Sequence, residues 1–344
     1  MSRLNGWVKA ALAFAVLTTI AGTAFAVRWA GFKSDLKRLD EQWRARPRTL
    51  LRDLGSTRSL TILPLVDYHA SDAGLSTDVG VAYLVKTDDA TILFDVGNNS
   101  RDDETSPVER NLAALGRSLS EIDSIVLSHA HFDHVGGRRW TKGSLSGTTF
   151  GFGHRQPSMG DKRIFTPVDM QYPGSAPQRT TVATRIATGI ATTGVIARRL
   201  FPEIVEEQAL AIHVEGKGLV VIVGCGHQTL ARLLESIDAT FVEPLYGIVG
   251  GLHLPVPEGR IKVAGLDMQR IFGSGDGPFA PLNANAVDAE LGLLEKRGLG
   301  LIAVGGHDSI DDVIAKVQVR FGESHRTLRV GEPIVVEASQ PTTP

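Results

Sequence analysis

The stretch Ser128-His129-Ala130-His131-Phe132-Asp133-His134 decides the fold of this chain, because it places four strong metal ligands directly after the apolar run Ile125-Val126-Leu127. A strand that ends in such a loop can present the first two histidines to one metal ion. The loop then carries Asp133 and His134 toward a second ion. The sequence therefore predicts a dinuclear metal site in outline.

The residue types in this stretch suit divalent transition metals. Neutral imidazole and carboxylate are ligands for borderline ions such as zinc, and an aspartate among histidines helps to offset the charge of two cations. The alternative is a surface loop that happens to be rich in histidine. Because the whole chain has only ten histidines in 344 residues, three of them beside an aspartate at this spacing favour the metal site.

The stretch and its surroundings resemble the metallo-β-lactamase superfamily of metallohydrolases. The HxHxDH pattern is preceded by Ile92-Leu93-Phe94-Asp95-Val96-Gly97 and by Leu115-Gly116. Three later motifs resemble the branch usually labelled dihydropterin methyl-ribofuranosyl-aminobenzene phosphate synthase-like: Gly224-Cys225-Gly226-His227, Gly250-Gly251-Leu252-His253-Leu254 and Gly305-Gly306-His307. The resemblance runs from about Leu60 to about Val336.

The resemblance implies an α/β fold, a four-layer αββα sandwich in which two sheets lie face to face with helices outside. In that fold the metals lie where loops from the strand ends of both sheets meet. Four histidines here follow short runs of the kind that form strands: His129, His227, His253 and His307. We therefore expect four strand ends to converge on one pocket.

The resemblance also implies a ligand set. The first metal is expected to have the ligands His129, His131 and His227, and the second the ligands Asp133, His134 and His307. Asp95, at the end of a buried strand, resembles the superfamily's aspartate that orients a ligand or the metal loop. The alternative role for Asp95 is to start the turn at Gly97-Asn98. Asp133 and Asp95 are the residues expected to serve catalysis.

Two residues have open roles at this point. Cys225 stands where many superfamily members carry a bridging aspartate. A thiolate is a competent zinc ligand, but a lone cysteine after a buried strand is also commonly a small apolar residue. His253 is expected to contact either metal or substrate. The histidines without comparable context are expected to be ordinary ones: His69, His154, His213 and His325.

The chain departs from the branch pattern in two places. It has Thr77-Asp78-Val79-Gly80 where relatives often show Glu-His-Gly before the second strand. It has Gly306-His307-Asp308-Ser309-Ile310 where they often show Gly-His-Cys-Thr-Gly. Both changes leave the expected metal ligands intact and alter groups expected to contact substrate.

The chemistry expected of this ligand set is metal-assisted hydrolysis of a small molecule. Two divalent ions, Zn²⁺ first with Fe or Mn as alternatives, would activate water against an ester, lactone, thioester or phosphoester. Arginines scattered through 151–200 suggest an anionic substrate, or serve only surface solubility. Other classes stay open: a pterin-linked synthase-like enzyme, a metal-dependent oxygenase with iron, or a membrane-tethered metal- or ligand-binding protein without hydrolase activity.

Composition narrows the class of protein. With 42% hydrophobic and 22% charged residues, the chain can bury a sizeable core. The formal net charge is −2, and removing residues 1–26, with Arg3 and Lys9, would bring it to −4. Neither value indicates a nucleic-acid partner bound through a broad basic surface. Cys225 is the single cysteine, so an intrachain disulfide is impossible, and the oligomeric state stays open.

The N-terminus predicts contact with a membrane. Ala10 to Val27 is an uninterrupted run of 18 uncharged residues, and it contains Ala24-Phe25-Ala26. Residues 1–27 are therefore expected to be a signal peptide or a membrane anchor. Eight basic residues between Arg28 and Arg52 would hold the following segment in the cytoplasm. The Ala-x-Ala site favours the alternative, export to the periplasm after cleavage near Ala26.

The rest of the chain divides into three predicted parts. Residues 28–58 are expected to form a basic juxtamembrane helix or linker, helical over 33–54 and interrupted or restarted at Pro47. Residues 59–338 are expected to form the catalytic domain, and residues 339–344 a disordered tail.

Overall fold

A computed structural model describes residues 6–339 of the chain. Arg3 of the basic leader and residues 340–344 of the predicted tail lie outside the described residues. Ser339, the first residue of that tail, is ordered by its neighbours, because its backbone N–H donates to the carbonyl oxygen of Glu215 at 3.1 Å and its hydroxyl to that of Gly216 at 2.9 Å.

The N-terminal segment is one helix, α1, over Gly6–Ala45. Its most apolar 18-residue window has a mean hydropathy of 2.0 and is 0% buried, so the helix has the length and composition to cross a membrane. A signal sequence would have the same features. The helix ends before Pro47 and the backbone is irregular as far as Ser56, so the helix expected to reach Leu54 is shorter, because proline disfavours the helical conformation at the preceding residue.

The remaining elements follow in chain order. The strands are β1 Ser59–Val66, β2 Ala82–Thr87, β3 Thr91–Phe94, β4 Ser124–Val126, β5 Arg163–Thr166, β6 Gln178–Arg179, β7 Val182–Ala187, β8 Ile190–Gly194, β9 Ile196–Arg199, β10 Ile204–Glu207, β11 Leu210–Val214, β12 Gly218–Val223, β13 Leu245–Gly250, β14 Lys262–Val263, β15 Leu266–Asp267, β16 Leu301–Val304 and β17 Ile334–Glu337. The helices are α2 Pro107–Ala114, α3 Leu230–Thr240, α4 Met268–Gly273, α5 Ala284–Glu295 and α6 Asp311–Phe321, with 3₁₀ turns at Leu119–Glu121 and Gly322–Ser324.

Most of these strands form two sheets. The first has the order β17-β1-β2-β3-β4-β5-β6 and the second the order β16-β13-β12-β11-β8-β7. The pairs β9–β10 and β14–β15 form small two-stranded sheets of their own. The strands β11 and β12 form an antiparallel hairpin joined by residues 215–217.

The two sheets pack face to face through alternate residues of their strands. Leu60 and Ile62 of β1 belong to a buried cluster that also contains Ile212 of β11 and Ile222 of β12. Leu63 and Leu65 of the same strand face the other way, into a second cluster with α2. Both faces of β1 are thus buried, which explains why its sequence is an almost continuous apolar run.

Helices cover the outer face of each sheet. α2 begins with a capping box between Ser106 and Glu109 and buries Val108 and Leu112 in the second cluster, over the first sheet. On the other side α3 lies against β8 and α5, and α6 lies against β16. The order is helix, sheet, sheet, helix, which confirms the predicted four-layer αββα sandwich.

The boundary between α1 and the globular part lies earlier than the predicted domain start at Ser59. The chain divides into compact units of residues 1–47 and 48–344. Residues 48–58 belong to the second unit because Leu51 N donates to the carbonyl oxygen of Thr240 at 2.7 Å, and Thr57 N to that of His213 at 2.9 Å. The predicted linker over 28–58 therefore spans both units.

Parallel strands bring one end of each sheet to the same place. β3 and β4 are parallel in the first sheet, and β12, β13 and β16 are parallel in the second. The loops that contain the histidines follow the carboxyl ends of these strands. In α/β folds, ligands bind at this edge of a parallel sheet.

The core between the sheets yields a prediction about stability. Phe94 is fully buried there, so Phe94→Ala should lower the free energy of unfolding by about 3–5 kcal/mol, since the cavity cannot collapse completely. Val335→Ala, on the 54% exposed Val335 of β17, should change it by less than about 0.5 kcal/mol. Urea denaturation of the two variants and the parent measures both; equal effects would contradict this packing.

Candidate metal centre

Asp95, directly after β3, fixes the start of the histidine loop after β4. Its carboxylate accepts hydrogen bonds from the backbone N–H and the hydroxyl of Ser128, both at 2.6 Å. The same carboxylate lies 2.7 Å from Nδ1 of His134. Asp95 is fully buried and has a positive φ of 58°. These contacts tie the ends of β3 and β4 together and orient His134.

Three histidines form the first group of the cluster. His129 Nε2 lies 3.1 Å from His131 Nδ1, which in turn lies 3.2 Å from His227 Nε2. His129 and His131 come from the loop after β4, and His227 comes from the loop after β12. The fold has thus brought together candidate ligands from both sheets, almost 100 residues apart in sequence.

Cys225 lies at the centre of the second group. Its Sγ is 3.1 Å from His134 Nε2 and 3.0 Å from His307 Nε2. His307 Nε2 is also 3.6 Å from an Oδ2 oxygen of Asp133. The same cysteine belongs to the set His129, Cys225 and His227, whose ligand atoms lie within 4.8 Å of one another. One thiol therefore stands between the two histidine groups.

The donor atoms fit divalent metal ions. Two nitrogens bound to one tetrahedral zinc at 2.0–2.1 Å lie about 3.3 Å apart, close to the 3.1 Å and 3.2 Å separations of the first group. Burial lowers the pKa of His129 and His227 well below the usual imidazole value and that of His307 to about 3. All three imidazoles are therefore neutral, which is the form that ligates metal.

Comparison with known proteins agrees with this geometry. Residues 75–242 match the sequence model of the metallo-β-lactamase superfamily. A solved metal-dependent hydrolase of the β-lactamase superfamily, Tm1679, is 17% identical, has a TM-score of 0.52 and is matched over 81% of this chain and 99% of its own. Residues 75–242 are thus similar to the metallo-β-lactamase superfamily, and the chain has the fold of a solved member.

One curated relative comes from the branch that the three later motifs resemble. A 7,8-dihydropterin-6-methyl-4-(β-D-ribofuranosyl)-aminobenzene-5'-phosphate synthase of Methanocaldococcus jannaschii is 24% identical over 244 residues, 60% of this chain and 81% of the relative. This distant likeness matches the resemblance of those motifs. Among solved structures, the metallo-β-lactamase fold protein YhfI of Bacillus subtilis is 13% identical with a TM-score of 0.49, over 81% of this chain and 100% of its own.

Glu207 is a site residue that sequence reasoning missed. Its carboxylate accepts hydrogen bonds from the backbone N–H groups of Cys225 at 3.0 Å, Gly226 at 2.9 Å and His227 at 2.7 Å. Glu207 is fully buried, and burial raises its pKa to about 7. In the sequence it follows Glu206 and precedes an apolar strand, so it has the pattern of a surface residue.

The loops after β13 and β16 are held in a similar way. Asp308, which is almost fully buried, accepts a hydrogen bond from the backbone N–H of His253 at 3.0 Å. The His253 ring lies 4.3 Å from that of His227, and neither of its nitrogens has a hydrogen-bond partner in the described chain. His253 therefore faces the site with both polar atoms available.

The stretch Thr77-Asp78-Val79-Gly80 departs from the branch pattern but keeps its glycine, and Gly80 contacts the site. Its backbone N–H donates to His307 Nδ1 at 2.6 Å. Its φ is +84°, and a side-chain carbon there would lie 1.7 Å from the carbonyl oxygen of Asp133. Because the Gly80 N–H donates to His307, it is not free to pair in the sheet, and β2 begins at Ala82.

The remaining histidines have contacts elsewhere. His69 pairs with Asp311 at 2.8 Å. His154 Nε2 lies 2.8 Å from the carbonyl oxygen of Asp102, and His213 Nδ1 lies 2.7 Å from that of Gly55. His325 lies at the end of the 3₁₀ turn Gly322–Ser324. None of them belongs to the clusters of metal-competent side chains found among residues 6–339.

A cavity of about 230 Å³ opens onto the cluster and is lined by His131, Asp133, Cys225, His227, His253 and His307. The arginines of 151–200 that suggested an anionic substrate do not line it. Arg198 lines a neighbouring cavity of about 440 Å³, where it donates to the carbonyl oxygen of Gly275 at 2.8 Å and pairs with Asp276. Arg138 is the cation at the smaller cavity.

The contacts of Glu207 yield a prediction about metal binding. Glu207→Gln should weaken metal binding about 10- to 100-fold, because the amide cannot accept all three backbone N–H groups and the Cys225–His227 loop loses its orientation. Titration of the bound metal against a chromophoric chelator measures the change. Glu206→Gln is the matched control, since Glu206 pairs with Arg179 at the surface. Equal metal affinity in the two variants would show that Glu207 does not position the loop.

Proposed function

We propose that this chain is a metal-dependent hydrolase whose centre holds two divalent ions, with Zn²⁺ favoured over Fe or Mn. The observation that carries the proposal is the position of Cys225, whose thiol lies between His134 and His307 and within reach of His129 and His227. A mixed set of imidazole, carboxylate and thiolate donors is the set that zinc prefers.

We assign the ligands by the two groups of the cluster. One ion would be held by His129, His131 and His227, the other by Asp133, His134 and His307, and Cys225 would contribute to both. Burial of the free thiol raises the pKa of Cys225 well above its usual value, so its ligation requires the charge of a bound ion.

The acids around the cluster favour a cationic occupant. Five almost fully buried carboxyl groups surround it: Asp67, Asp95, Asp133, Glu207 and Asp308. None of the five forms an ion pair with a lysine or arginine of residues 6–339. Burial raises the pKa of Asp67, Glu207 and Asp308, because a buried charge without a counter-charge is costly. Bound divalent cations would supply that counter-charge.

The residues of the chain then have distinct tasks in hydrolysis. A divalent ion in such a centre polarises a carbonyl or phosphoryl oxygen and lowers the pKa of coordinated water. Asp95 and Glu207 hold the ligand loops in place through the contacts described above, and Asp133 serves the site as a ligand. His253 would bind the substrate with a ring nitrogen. Esters, lactones, thioesters and phosphoesters of small molecules all suit this arrangement.

A second candidate function comes from the relative in Methanocaldococcus jannaschii, which is described as a synthase. The same ligand set would then promote a condensation on a pterin-linked substrate. At 24% identity over 60% of the chain, the likeness supports this candidate less than the hydrolase. A protein that binds metal without turnover is the third possibility, and a panel of chromogenic esters, lactones and phosphodiesters separates it from an enzyme.

Substitution of the second group tests the hydrolase. We expect His134→Ala and His307→Ala each to reduce the metal content from about two ions to about one per chain. Each should also lower the rate of hydrolysis by at least about 100-fold. The double variant should be no less active than either single variant, because the ligands act as a unit. Elemental analysis and ester hydrolysis are the measurements. Cys225→Ala should weaken binding of both ions.

His154→Ala is the control for these substitutions, because His154 lies at the surface against Asp102. It should retain metal and activity. Absence of transition metal from protein isolated without chelator, or full activity in His134→Ala, would contradict the proposal. Metal-replete protein that hydrolyses no member of the panel would favour the binding protein.

We also propose that α1 anchors the chain to a membrane, supported by its uncharged 18-residue run. The intact chain should sediment with membranes, and the chain without residues 1–47 should be soluble and retain metal. Immunoblotting of cell fractions measures this, and mass spectrometry of the mature N-terminus shows whether cleavage near Ala26 occurs. Intact chain in the soluble fraction with residues 1–26 attached would refute the anchor.

A further inference from the structure

Apart from the metal-competent cluster, most of the side chains that line the 230 Å³ cavity are apolar. The apolar side chains that line it are Phe132, Leu145, Leu200, Pro202, Ile261, Val263, Met268 and Phe272. They come from the histidine loop, from the segment between β9 and β10, and from residues 259–273, which we call the flap. The cavity therefore has one polar wall that bears the cluster and one apolar wall.

The flap is a built structure and not a loose loop. Its backbone is braced by hydrogen bonds from Gly259 N to Asp267 at 2.6 Å and from Arg260 N to Gln269 Oε1 at 2.7 Å. Phe201 N also donates to the carbonyl oxygen of Phe272 at 3.2 Å. The apolar side chains of the flap are thus presented to the cavity by fixed backbone.

Arg260 fastens the flap to the loop that carries His307. Its guanidinium donates to the carbonyl oxygens of Gly306 and Ser309, the latter at 3.2 Å, and pairs with Asp311 at 2.8 Å. It also lies 3.7 Å above the ring of Tyr68. The distance between the apolar wall and the cluster is therefore fixed by direct contacts between the two.

Apolar side chains outnumber polar ones in this part of the cavity. Its polar side chains are Arg138, Glu203 and Gln269. Gln269 Oε1 accepts from Arg260 N, the Arg138 guanidinium lies 4.3 Å from the Phe132 ring, and Glu203 lies 3.2 Å from His131. A heteroaromatic ring with several polar edges would find few partners for its own donors and acceptors there, at a cost in binding. An aliphatic group has no such groups to satisfy.

The apolar surface continues from the cavity to solvent. Val263 lines the cavity and is 58% exposed, and Leu145 lines it and is 40% exposed. A hydrocarbon chain can therefore lie along one apolar surface from the mouth of the cavity to the cluster.

We propose that the natural substrate carries an aliphatic acyl chain, whose carbonyl lies at the cluster and whose chain lies under the flap. This substrate class rests on the proposed function, in which the cluster holds metal and hydrolyses the acyl bond. Water would add to the acyl carbonyl and the bond to the leaving oxygen or sulfur would break. One proton of the water would pass to the leaving alcohol or thiol and the other to solvent, so that the acyl product is the fatty carboxylate.

Binding of short fatty carboxylates, which are products of the proposed reaction, tests without any turnover whether the cavity accepts an aliphatic chain. We call this part of the cavity, under the flap, the acyl chamber. The probes are propanoate, butanoate, pentanoate and hexanoate, titrated calorimetrically into the full-length metal-loaded chain in lipid nanodiscs, with empty nanodiscs as the blank. Each added methylene should tighten binding about three- to fourfold, the factor that corresponds to burial of one methylene from water. A ratio near one across the series would overturn the acyl chamber.

Two variants locate the effect. Met268→Gln keeps the length of the side chain and adds polarity. It should reduce the gain in affinity to less than about twofold per added methylene. Val263→Asn, nearer the mouth, should reduce it for the longest probes alone. Val319→Asn is the matched control for the valine substitution, since Val319 lies 86% exposed on α6, and should leave every step unchanged. Steps in Met268→Gln equal to those of the parent would contradict the chamber under the flap.

Hydrolysis of p-nitrophenyl acetate, measured separately, distinguishes failure of this inference from failure of the proposed function. If affinity rises with each added methylene but no ester is hydrolysed, the proposed hydrolase function is contradicted and the acyl-binding cavity is supported. If the acetate is hydrolysed but affinity does not rise with chain length, the hydrolase function is supported and the acyl-binding cavity is contradicted. Tighter binding of a pterin than of hexanoate would overturn the aliphatic chamber in favour of an aromatic one.

Discussion

The cost of burying carboxylates determines the construction of this site. Asp95, Glu207 and Asp308 lie in the interior at the carboxyl ends of the parallel strands, where an unpaired charge is expensive. Each accepts backbone N–H groups from a loop that carries a candidate ligand: Ser128, Cys225 to His227, and His253 respectively. These hydrogen bonds lower the free-energy cost of burying the acids and also hold the loops in position. Buried groups of the protein therefore orient the site.

The same arrangement requires backbone to approach backbone very closely. Gly80 lies so near the carbonyl oxygen of Asp133 that no side chain fits there. Gly250, at the end of β13, has a φ of 114°, and a side-chain carbon there would lie 2.0 Å from the carbonyl oxygen of Val223. These glycines allow the loops of the two sheets to meet with their histidines 3.0–3.2 Å from common neighbours.

The cavity joins two environments that usually exclude each other. On one side lie imidazoles, a thiol and an aspartate, and on the other lie Ile261, Met268 and Phe272 of the flap. An apolar wall limits the access of water and strengthens electrostatic interactions at the cluster. Arg260 couples the two sides, because its guanidinium binds the His307 loop while its backbone binds Gln269 of the flap.

The sequence alone indicated the strand-ending histidine loop and the buried strands, and its resemblance to the metallo-β-lactamase superfamily implied the αββα order and the candidate ligands. These features are local: HxHxDH lies within six residues, and the apolar runs around Leu60, Ile125 and Val221 set the buried strands. The tertiary structure alone decided the place of Cys225 between two histidine groups, the role of Glu207 and the apolar wall of the flap. Alternation in a strand shows which face is buried, but not which loop of the other sheet lies opposite that face.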